Sequence, residues 1–351
     1  MRPDFKTSEQ QDAAEFLTFL MDYLHEDLNI NSNRSPLKAL NEAEERRREA
    51  LPIQIASRLE WDRRTHNNHS QISSRFSVQY ASRLKCLTCN TTSTSYGTEY
   101  CIPLEIPAKG RIDIYECLKN YTKEERFEKE NNWRCPSCKK IRESTRKITI
   151  TRAPEILVIN LKRFHNRGAQ TTKIKTWVDF PLNDLDMTPF VVPPLSSYDA
   201  RLWPALLSEP LLETTPPFKY GLYGVVNHYG SGVKSGHYIA LRRVSPSTWT
   251  EFNDRYVTDI DPKTVVVCLP EVPLCGHNDI PKANTIVERC RISLILLPVC
   301  HAGSVMVYTG FIGFSSVLHY SRYSAWQLGM EFLHRIVILG TAKRDACTFE
   351  S

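Results

Sequence analysis

The chain has 351 residues, of which 41% are hydrophobic and 24% charged, and its formal net charge is +6. These values are ordinary for a soluble globular protein with one large core or two smaller ones. The basic residues are not massed on one segment, and Arg46, Arg47 and Arg48 lie between glutamates, which is typical of a solvated helix face. We therefore expect no nucleic-acid partner.

The amino terminus has no apolar run of signal-peptide length, so a reducing compartment is expected: the cytoplasm, with the nucleus or endosomes as further locations. The chain has eleven cysteines, and four of them form two C-x-x-C pairs. In an intracellular chain this arrangement favours a metal over disulfides.

The first predicted element is a helix over residues 7 to 28, with Thr7 and Gln10 as a capping box. Its apolar residues recur at three- and four-residue spacing: Ala13, Phe16, Leu17, Leu20, Met21, Leu24 and Leu28. Residues 29 to 52 are polar with alternating charge, which indicates a surface excursion carrying a solvent-exposed helix.

From about residue 72 to 107 the pattern has period two, which predicts extended strands with a tight metal knuckle. Residues 111 to 130 are predicted as a helix. Lys147 to Arg152 alternates again, and Ile156 to Leu161 is apolar on both faces, as in a buried central strand.

Residues 186 to 217 contain seven prolines and are predicted to form a long loop. Residues 218 to 227 and 236 to 243 then have strand character and are joined by the turn Tyr229 to Gly232. This pattern predicts a hairpin that presents His237 near the start of a strand.

The amino-acid composition of the chain changes beyond Val267. Residues 292 to 321 contain no Asp, Glu, Lys or Arg, a stretch long enough to span a bilayer, which needs about 20 residues. Pro298, His301 and several glycines and serines weaken a transmembrane reading, and the alternative is a non-native or poorly ordered extension. We therefore treat 268 to 351 as a tail separate from a domain at 1 to 267.

The two cysteine pairs predict a structural zinc site. Each C-x-x-C places two thiolates on one side of a tight turn, and two such knuckles complete a tetrahedral four-sulfur site with no position left for water. The four ligands would be Cys86, Cys89, Cys135 and Cys138. Cys101 and Cys117 occur singly, as small core residues commonly do.

A second candidate site involves His237 and Asn253. An imidazole that serves as a base needs an oriented partner on its second nitrogen, and a side-chain amide on an adjacent strand supplies one. These residues would be two of the three members of a catalytic triad. The third member should be a cysteine or serine at a helix start near the amino terminus. No such residue is found ahead of His237.

Several segments taken together resemble the ubiquitin-specific proteases, a family of papain-like cysteine deubiquitinases. The matching segments are Glu9 to Leu17, Ser82 to Cys89, Asn132 to Cys138, Ala153 to Phe164, Tyr223 to Gly230, Ser235 to Tyr238 and Trp249 to Asp254. Each is weak alone, but the full set in this order is highly specific.

The resemblance implies an α+β fold shaped as a hand, with a helical thumb, a β-rich palm at about 153 to 267, and zinc-tipped β fingers at about 72 to 152. It implies ubiquitin and ubiquitinated proteins as partners and thiol-dependent isopeptide hydrolysis as the activity. By resemblance, His237 is the general base, Asn253 its orienting partner and Asp254 an assisting polar group. Ubiquitin's tail would be contacted by Gln10, Asp12, His228 and Tyr238.

The chain departs from the family pattern at both ends. The family's cysteine box lies some tens of residues ahead of the Gln-Gln-Asp segment, and only nine residues precede Gln10 here. We therefore expect the nucleophile, the oxyanion asparagine and most of the thumb to be missing, and the chain as given to be inactive. The family's closing strand is not recognisable after Asp254.

The sequence is compatible with two alternative functions. One is a ubiquitin-binding pseudoenzyme or interaction module, which uses fingers and palm without chemistry. The other is a basic zinc-ribbon protein that binds nucleic acid.

Overall fold

The computed structural model describes residues 11–127, 133–167, 170–195, 217–232, 235–267 and 292–298. The helices are α1 (Ala13–Asp27), α2 (Glu42–Glu49), α3 (Ile53–Thr65), α4 (Gln71–Phe76), α5 (Ile114–Thr122) and α6 (Pro262–Val267). The first nine strands are β1 (Val78–Cys86), β2 (Thr92–Glu99), β3 (Ile102–Glu105), β4 (Arg111–Asp113), β5 (Glu125–Phe127), β6 (Trp133–Arg134), β7 (Ile141–Arg142), β8 (Ser144–Arg152) and β9 (Leu157–Lys162). The others are β10 (Phe164–Arg167), β11 (Gln170–Lys173), β12 (Trp177–Asp179), β13 (Leu185–Asp186), β14 (Lys219–Gly232), β15 (Ser235–Ser245), β16 (Thr248–Asn253), β17 (Tyr256–Ile260) and β18 (Ile292–Pro298).

The helix α1 begins later than its apolar pattern suggested. Asp12 is its N-cap, and its carboxylate accepts hydrogen bonds from the amides of Ala14 and Glu15 at 2.8 and 3.3 Å. The proposed capping residues Thr7 and Gln10 lie outside the described residues. The buried face of α1 packs on α4 and the start of β9 through a small apolar cluster: Leu20, Met21, Ile72, Phe76, Ile156 and Val158.

The helix expected over residues 111 to 130 is shorter than predicted at both ends, and its first three residues form β4 instead. Asp113 caps α5 by accepting a hydrogen bond from the amide of Glu116, and the helix ends at Thr122. Residues Glu125–Phe127 are instead β5, because they pair antiparallel with β8. Pairing with a neighbouring strand thus overrides the local helical pattern.

The finger region is a four-stranded sheet in the order β2-β1-β8-β5, with a separate β6-β7 hairpin beside it. The strands β1 and β2 form a long antiparallel pair from Val78 opposite Glu99 to Lys85 opposite Thr92. The first cysteine pair lies in the turn after β1, and the second lies in the turn between β6 and β7. The expected finger strands are therefore confirmed from Val78 onward, whereas Gln71–Phe76, where an extended strand was expected, forms α4.

The palm is an eight-stranded sheet with the main order β17-β16-β15-β14-β18-β9-β3, and β13 pairs with β14. Its main core cluster includes Val225, Ile239, Leu241 and Trp249, together with Leu118 of α5. The predicted hairpin is formed by β14 and β15, which pair Tyr229 with His237 and His228 with Tyr238. The residues predicted as its turn, Tyr229 to Gly232, instead belong to β14, so this strand is longer than expected.

The strand β18 changes the domain boundary expected from the sequence. It lies between β14 and β9 and pairs antiparallel with both. The sheet therefore includes residues beyond 267, which the sequence predicts to belong to a separate tail.

The uncharged run in the tail is also a candidate membrane span. No helix among the described residues is long and apolar enough to cross a membrane. Residues 299 to 321, most of the uncharged run, lie outside the described part of the chain.

Candidate functional site

The structure brings His237 and Asn253 together. His237 lies near the start of β15 and Asn253 at the end of β16, and the distance from His237 Nε2 to Asn253 Oδ1 is 2.7 Å. An amide oxygen only accepts hydrogen bonds, so Nε2 carries the hydrogen and donates. This leaves the lone pair of the neutral ring on Nδ1, the nitrogen that is then available as a base.

The orientation of the Asn253 amide is supported by Glu251, a residue that the sequence analysis missed. Glu251 lies two positions earlier on β16, so both side chains point to the same face of the sheet. Burial raises the pKa of the Glu251 carboxyl, and a hydrogen bond with the Asn253 side chain lowers it. A carboxylate accepts from the amide nitrogen, which turns Oδ1 towards His237.

Asp254 lies beside the same histidine. Its Oδ2 is 4.0 Å from His237 Nε2, and both side chains are about half exposed. Asp254 has φ of 52°, in the left-handed region, and lies in the tight turn between β16 and β17. Non-glycine residues adopt this region at a cost, so the turn keeps a strained residue at the candidate site.

Tyr238 connects the start of α1 to this site. The amide of Ala13 donates a hydrogen bond of 3.4 Å to the Tyr238 hydroxyl. Because Asp12 precedes Ala13, two of the residues predicted to contact a peptide tail are close together. Gln10, the third predicted from this region, lies outside the described residues.

His228 is buried on the hairpin next to Tyr238, and their ring centroids are 4.7 Å apart. Burial lowers the pKa of His228 to about 4, and the nearby charges of Lys173 and His237 act in the same direction. The ring is therefore neutral at physiological pH. Lys173 donates hydrogen bonds to the carbonyls of Gly230 and His228 at 2.9 and 3.4 Å, a contact between distant strands that no sequence signal indicated.

Gly236 is required by a close approach between the two hairpin strands. A Cβ atom at this position would lie 2.1 Å from His228 Nε2 and 2.5 Å from the Tyr229 carbonyl oxygen. Only glycine leaves room for the buried ring beside the strand that carries His237.

The four cysteines predicted as metal ligands form one cluster. The sulfur atoms of Cys86, Cys89, Cys135 and Cys138 all lie within 4.8 Å of one another. Zinc–sulfur bonds of about 2.3 Å in a tetrahedron put the sulfurs about 3.8 Å apart, so the cluster fits this ion.

The two knuckles have the same turn. In each, the residue after the second cysteine has a left-handed backbone, with φ of 58° at Asn90 and 57° at Lys139. Their amides donate to the carbonyls of Cys86 and Cys135 at 3.0 and 2.9 Å.

The individual thiols differ in acidity. Hydrogen bonds with the side chain and backbone of Thr91 lower the pKa of Cys89 to about 6, while the neighbouring thiols Cys89 and Cys135 raise the pKa of Cys138 to about 11. Burial raises the pKa of Cys101 to about 12 and that of Cys117 to about 11. The latter two are therefore protonated and poorly suited as nucleophiles at neutral pH.

Comparisons with known proteins agree with this architecture. A family model described as "Ubiquitin carboxyl-terminal hydrolase" matches residues 1–284. The chain is 41% identical over 256 residues to ubiquitin carboxyl-terminal hydrolase 4 of Saccharomyces cerevisiae, covering 71% of this chain and 27% of that protein. It is 40% identical over 257 residues to ubiquitin carboxyl-terminal hydrolase 5 of the same yeast, covering 72% of this chain and 31% of that protein. The chain thus spans about 30% of the length of these curated relatives.

Solved structures show the same fold. The chain is similar to one in the SAGA Ubp8/Sgf11/Sus1/Sgf73 DUB module bound to ubiquitin aldehyde, with a TM-score of 0.56 and 21% identity. That match covers 86% of this chain and 52% of the other. A second structure, of the module with Ubp8(S144N), gives a TM-score of 0.54 and 23% identity, covering 84% and 52%.

Proposed function

Because the chain belongs to the ubiquitin carboxyl-terminal hydrolase family, we propose that its function is that of a cysteine-type deubiquitinase, which removes ubiquitin from protein conjugates. The observation that carries this proposal is the 2.7 Å contact between His237 Nε2 and Asn253 Oδ1. It supports one ring tautomer, with Nδ1 left as the proton acceptor.

In the proposed reaction, His237 Nδ1 takes the proton of a thiol, and the thiolate attacks the carbonyl carbon of ubiquitin's terminal glycine. The imidazolium then gives this proton to the leaving amine, so that a thioester remains on the sulfur. Water hydrolyses the thioester, with His237 as the base again. Asn253 holds the ring throughout, and Asp254 adds negative charge near the imidazolium.

The thiol is not supplied by any of the six described cysteines. Four of them form the metal cluster, and Cys101 and Cys117 are held protonated by burial. No cysteine precedes Cys86 in the sequence as given. The other five cysteines lie outside the described residues. We propose that the described residues bind ubiquitin without turnover of their own, whereas hydrolysis requires a further cysteine near His237.

Recognition of the ubiquitin tail is assigned to the surfaces around the start of α1. The Tyr238 hydroxyl accepts a hydrogen bond from the amide of Ala13, which Asp12 precedes, and the neutral ring of His228 packs against Tyr238. A tail in extended conformation needs fixed donors and acceptors along its backbone, and these side chains supply them. Gln10 is assigned the same role from the family resemblance.

The four-cysteine cluster is assigned to a structural zinc ion. Cys86, Cys89, Cys135 and Cys138 would hold it, and a four-sulfur donor set favours zinc over the hard cations calcium and magnesium. When bound, the ion would join the tips of two hairpins into one unit. Metal analysis of the purified chain tests this assignment, with one zinc per chain as the expected result.

A ubiquitin probe with a carboxy-terminal electrophile tests the function. We expect non-covalent binding of ubiquitin by the chain as given and no adduct with the probe. An adduct mapped to a cysteine of this chain would refute the assignment of no turnover. Absence of binding by a chain that is folded and metal-loaded would refute the proposal as a whole.

A further inference from the structure

The surface helix α2 is exposed to solvent at its start but contacts the finger sheet at its end. Its sequence of glutamates and arginines is almost entirely charged, and at its start Glu42 and Arg46 form an ion pair with side chains 90% and 71% exposed. Its last two charged residues behave differently. Arg48 is 18% exposed and Glu49 is 19% exposed, because both lie against the finger sheet.

Glu49 holds the outer strand of the fingers. Its carboxylate accepts hydrogen bonds from the Thr92 hydroxyl at 2.6 Å, the Thr94 amide at 2.9 Å and the Thr94 hydroxyl at 2.8 Å. Arg83 on β1 lies 3.6 Å from the same carboxylate and donates to the Thr94 hydroxyl at 2.9 Å. One carboxylate thus connects α2 with both β2 and β1.

Arg48 contacts the same strand residue, Thr94, through its backbone carbonyl. It donates to the Thr94 carbonyl at 3.1 Å and to Glu60 of α3 at 2.6 Å. The strand β2 is at the edge of its sheet, so Thr94 directs its backbone groups away from β1. The side chains of Arg48 and Glu49 therefore bond to the free backbone edge of β2 as a neighbouring strand would, and Arg48 also links β2 to α3.

We propose that Arg48 and Glu49 are positioning residues for ubiquitin binding, which hold the edge strand β2 of the fingers in place against α2 and α3. This inference rests on the proposed function. The fingers would grip the globular body of ubiquitin, while the palm holds its tail. If β2 is free to move, only a fraction of the molecules presents the finger surface correctly, and the apparent Kd rises in inverse proportion to that fraction.

The test measures binding of fluorescently labelled ubiquitin to the full chain by anisotropy. We expect Glu49→Ala to raise the Kd about tenfold, which corresponds to about 1.4 kcal/mol. The matched control is Glu42→Ala, which removes the same group from the same helix, at a position where the side chain is 90% exposed and pairs with Arg46. Its Kd should stay within about twofold of wild type, a loss of less than about 0.5 kcal/mol.

Two further measurements separate positioning from general loss of structure. Hydrogen exchange of the Thr94 amide should accelerate in Glu49→Ala, while the zinc content and the NMR signals of the His237 ring stay as in wild type. If Glu49→Ala does not fold, Glu49→Gln is compared with Glu42→Gln in the same assays. The Glu49→Gln side chain keeps an acceptor for the Thr94 amide but loses the charge facing Arg83, so a smaller increase in Kd is expected.

The outcomes distinguish the two proposals. Wild-type chain that does not bind ubiquitin refutes the proposed function. Wild-type binding with equal affinity in the Glu49 and Glu42 variants refutes the role of α2 and leaves the proposed function in place. An increase in Kd confined to the Glu49 variants supports both.

Discussion

The close approach at Gly236 allows one substitution to be predicted in detail. In Gly236→Ala, the new Cβ would lie 2.1 Å from His228 Nε2, whereas ordinary contact begins at 3.4 Å, a shortfall of 1.3 Å. The distance to the Tyr229 carbonyl oxygen would be 2.5 Å, a shortfall of 0.9 Å. Rotation of the His228 ring relieves the first overlap only, because the second involves backbone of the paired strand.

The two strands must therefore separate by about 1 Å at this point, which costs about 2 to 3 kcal/mol, as in overpacked cores. His237 follows Gly236 directly, so its ring moves with the strand. A displacement of about 1 Å takes its 2.7 Å contact with Asn253 beyond hydrogen-bonding distance. Both stability and the ring tautomer are thus expected to change together.

Urea unfolding measures the first effect, and the ¹⁵N shifts of the His237 ring measure the second. Gly110→Ala is the control, because a Cβ there meets no atom within 4 Å. Gly236→Ala should lower the free energy of unfolding and yield a mixture of the two ring tautomers, while the control changes neither. If Gly236→Ala had wild-type stability and the wild-type tautomer, the steric reasoning would be refuted.

Three further predictions concern single residues. Asp254→Gly should raise the free energy of unfolding, measured in urea, by about 0.5 to 1 kcal/mol, because a backbone with φ of 52° suits glycine. The control Asp184→Gly, at φ of 57°, should give a similar gain without altering the NMR signals of the His237 ring. A loss of stability in both variants would contradict this prediction. The pKa of His228 is lowered from 6.5 to about 4, so the unfolded chain takes up the proton first, and the free energy of unfolding should fall by about 2 kcal/mol between pH 6.5 and pH 4. His228→Gln should remove that contribution, and an unchanged pH dependence in the variant would argue against it. Cys135→Ser should abolish zinc binding in metal analysis and accelerate hydrogen exchange in the fingers, whereas retained zinc would exclude Cys135 as a ligand.

The parts of the site that could be predicted from sequence depend on residues joined by short connections. His237 and Asn253 are 16 residues apart on adjacent strands, so a hairpin pattern alone brings them together. The cysteine cluster was predictable because each pair is fixed within one tight turn, and the structure confirms that all four sulfurs meet. The catalytic roles of His237, Asn253 and Asp254 stay predictions.

Other contacts had no local signal. Glu49 and Thr94 are 45 residues apart, and the alternating charges of α2 predict only exposure to solvent. The conformation of β5 is decided by its pairing with β8, which the local pattern does not show, and α1 begins at Ala13 because Asp12 is its N-cap. Ile292 to Leu297 is a short apolar run, and such a run is compatible with a strand, a buried helix or part of a membrane segment.

The position of β18 has a consequence for biosynthesis. The sheet cannot be completed until residues 292–298 have emerged from the ribosome, since this strand lies between β14 and β9, which are made much earlier. Until then, the nascent palm has two apolar strands that lack a shared neighbour, and open strand edges of this kind promote association with other chains. Protection by a chaperone during this interval would favour correct insertion of the last strand over aggregation.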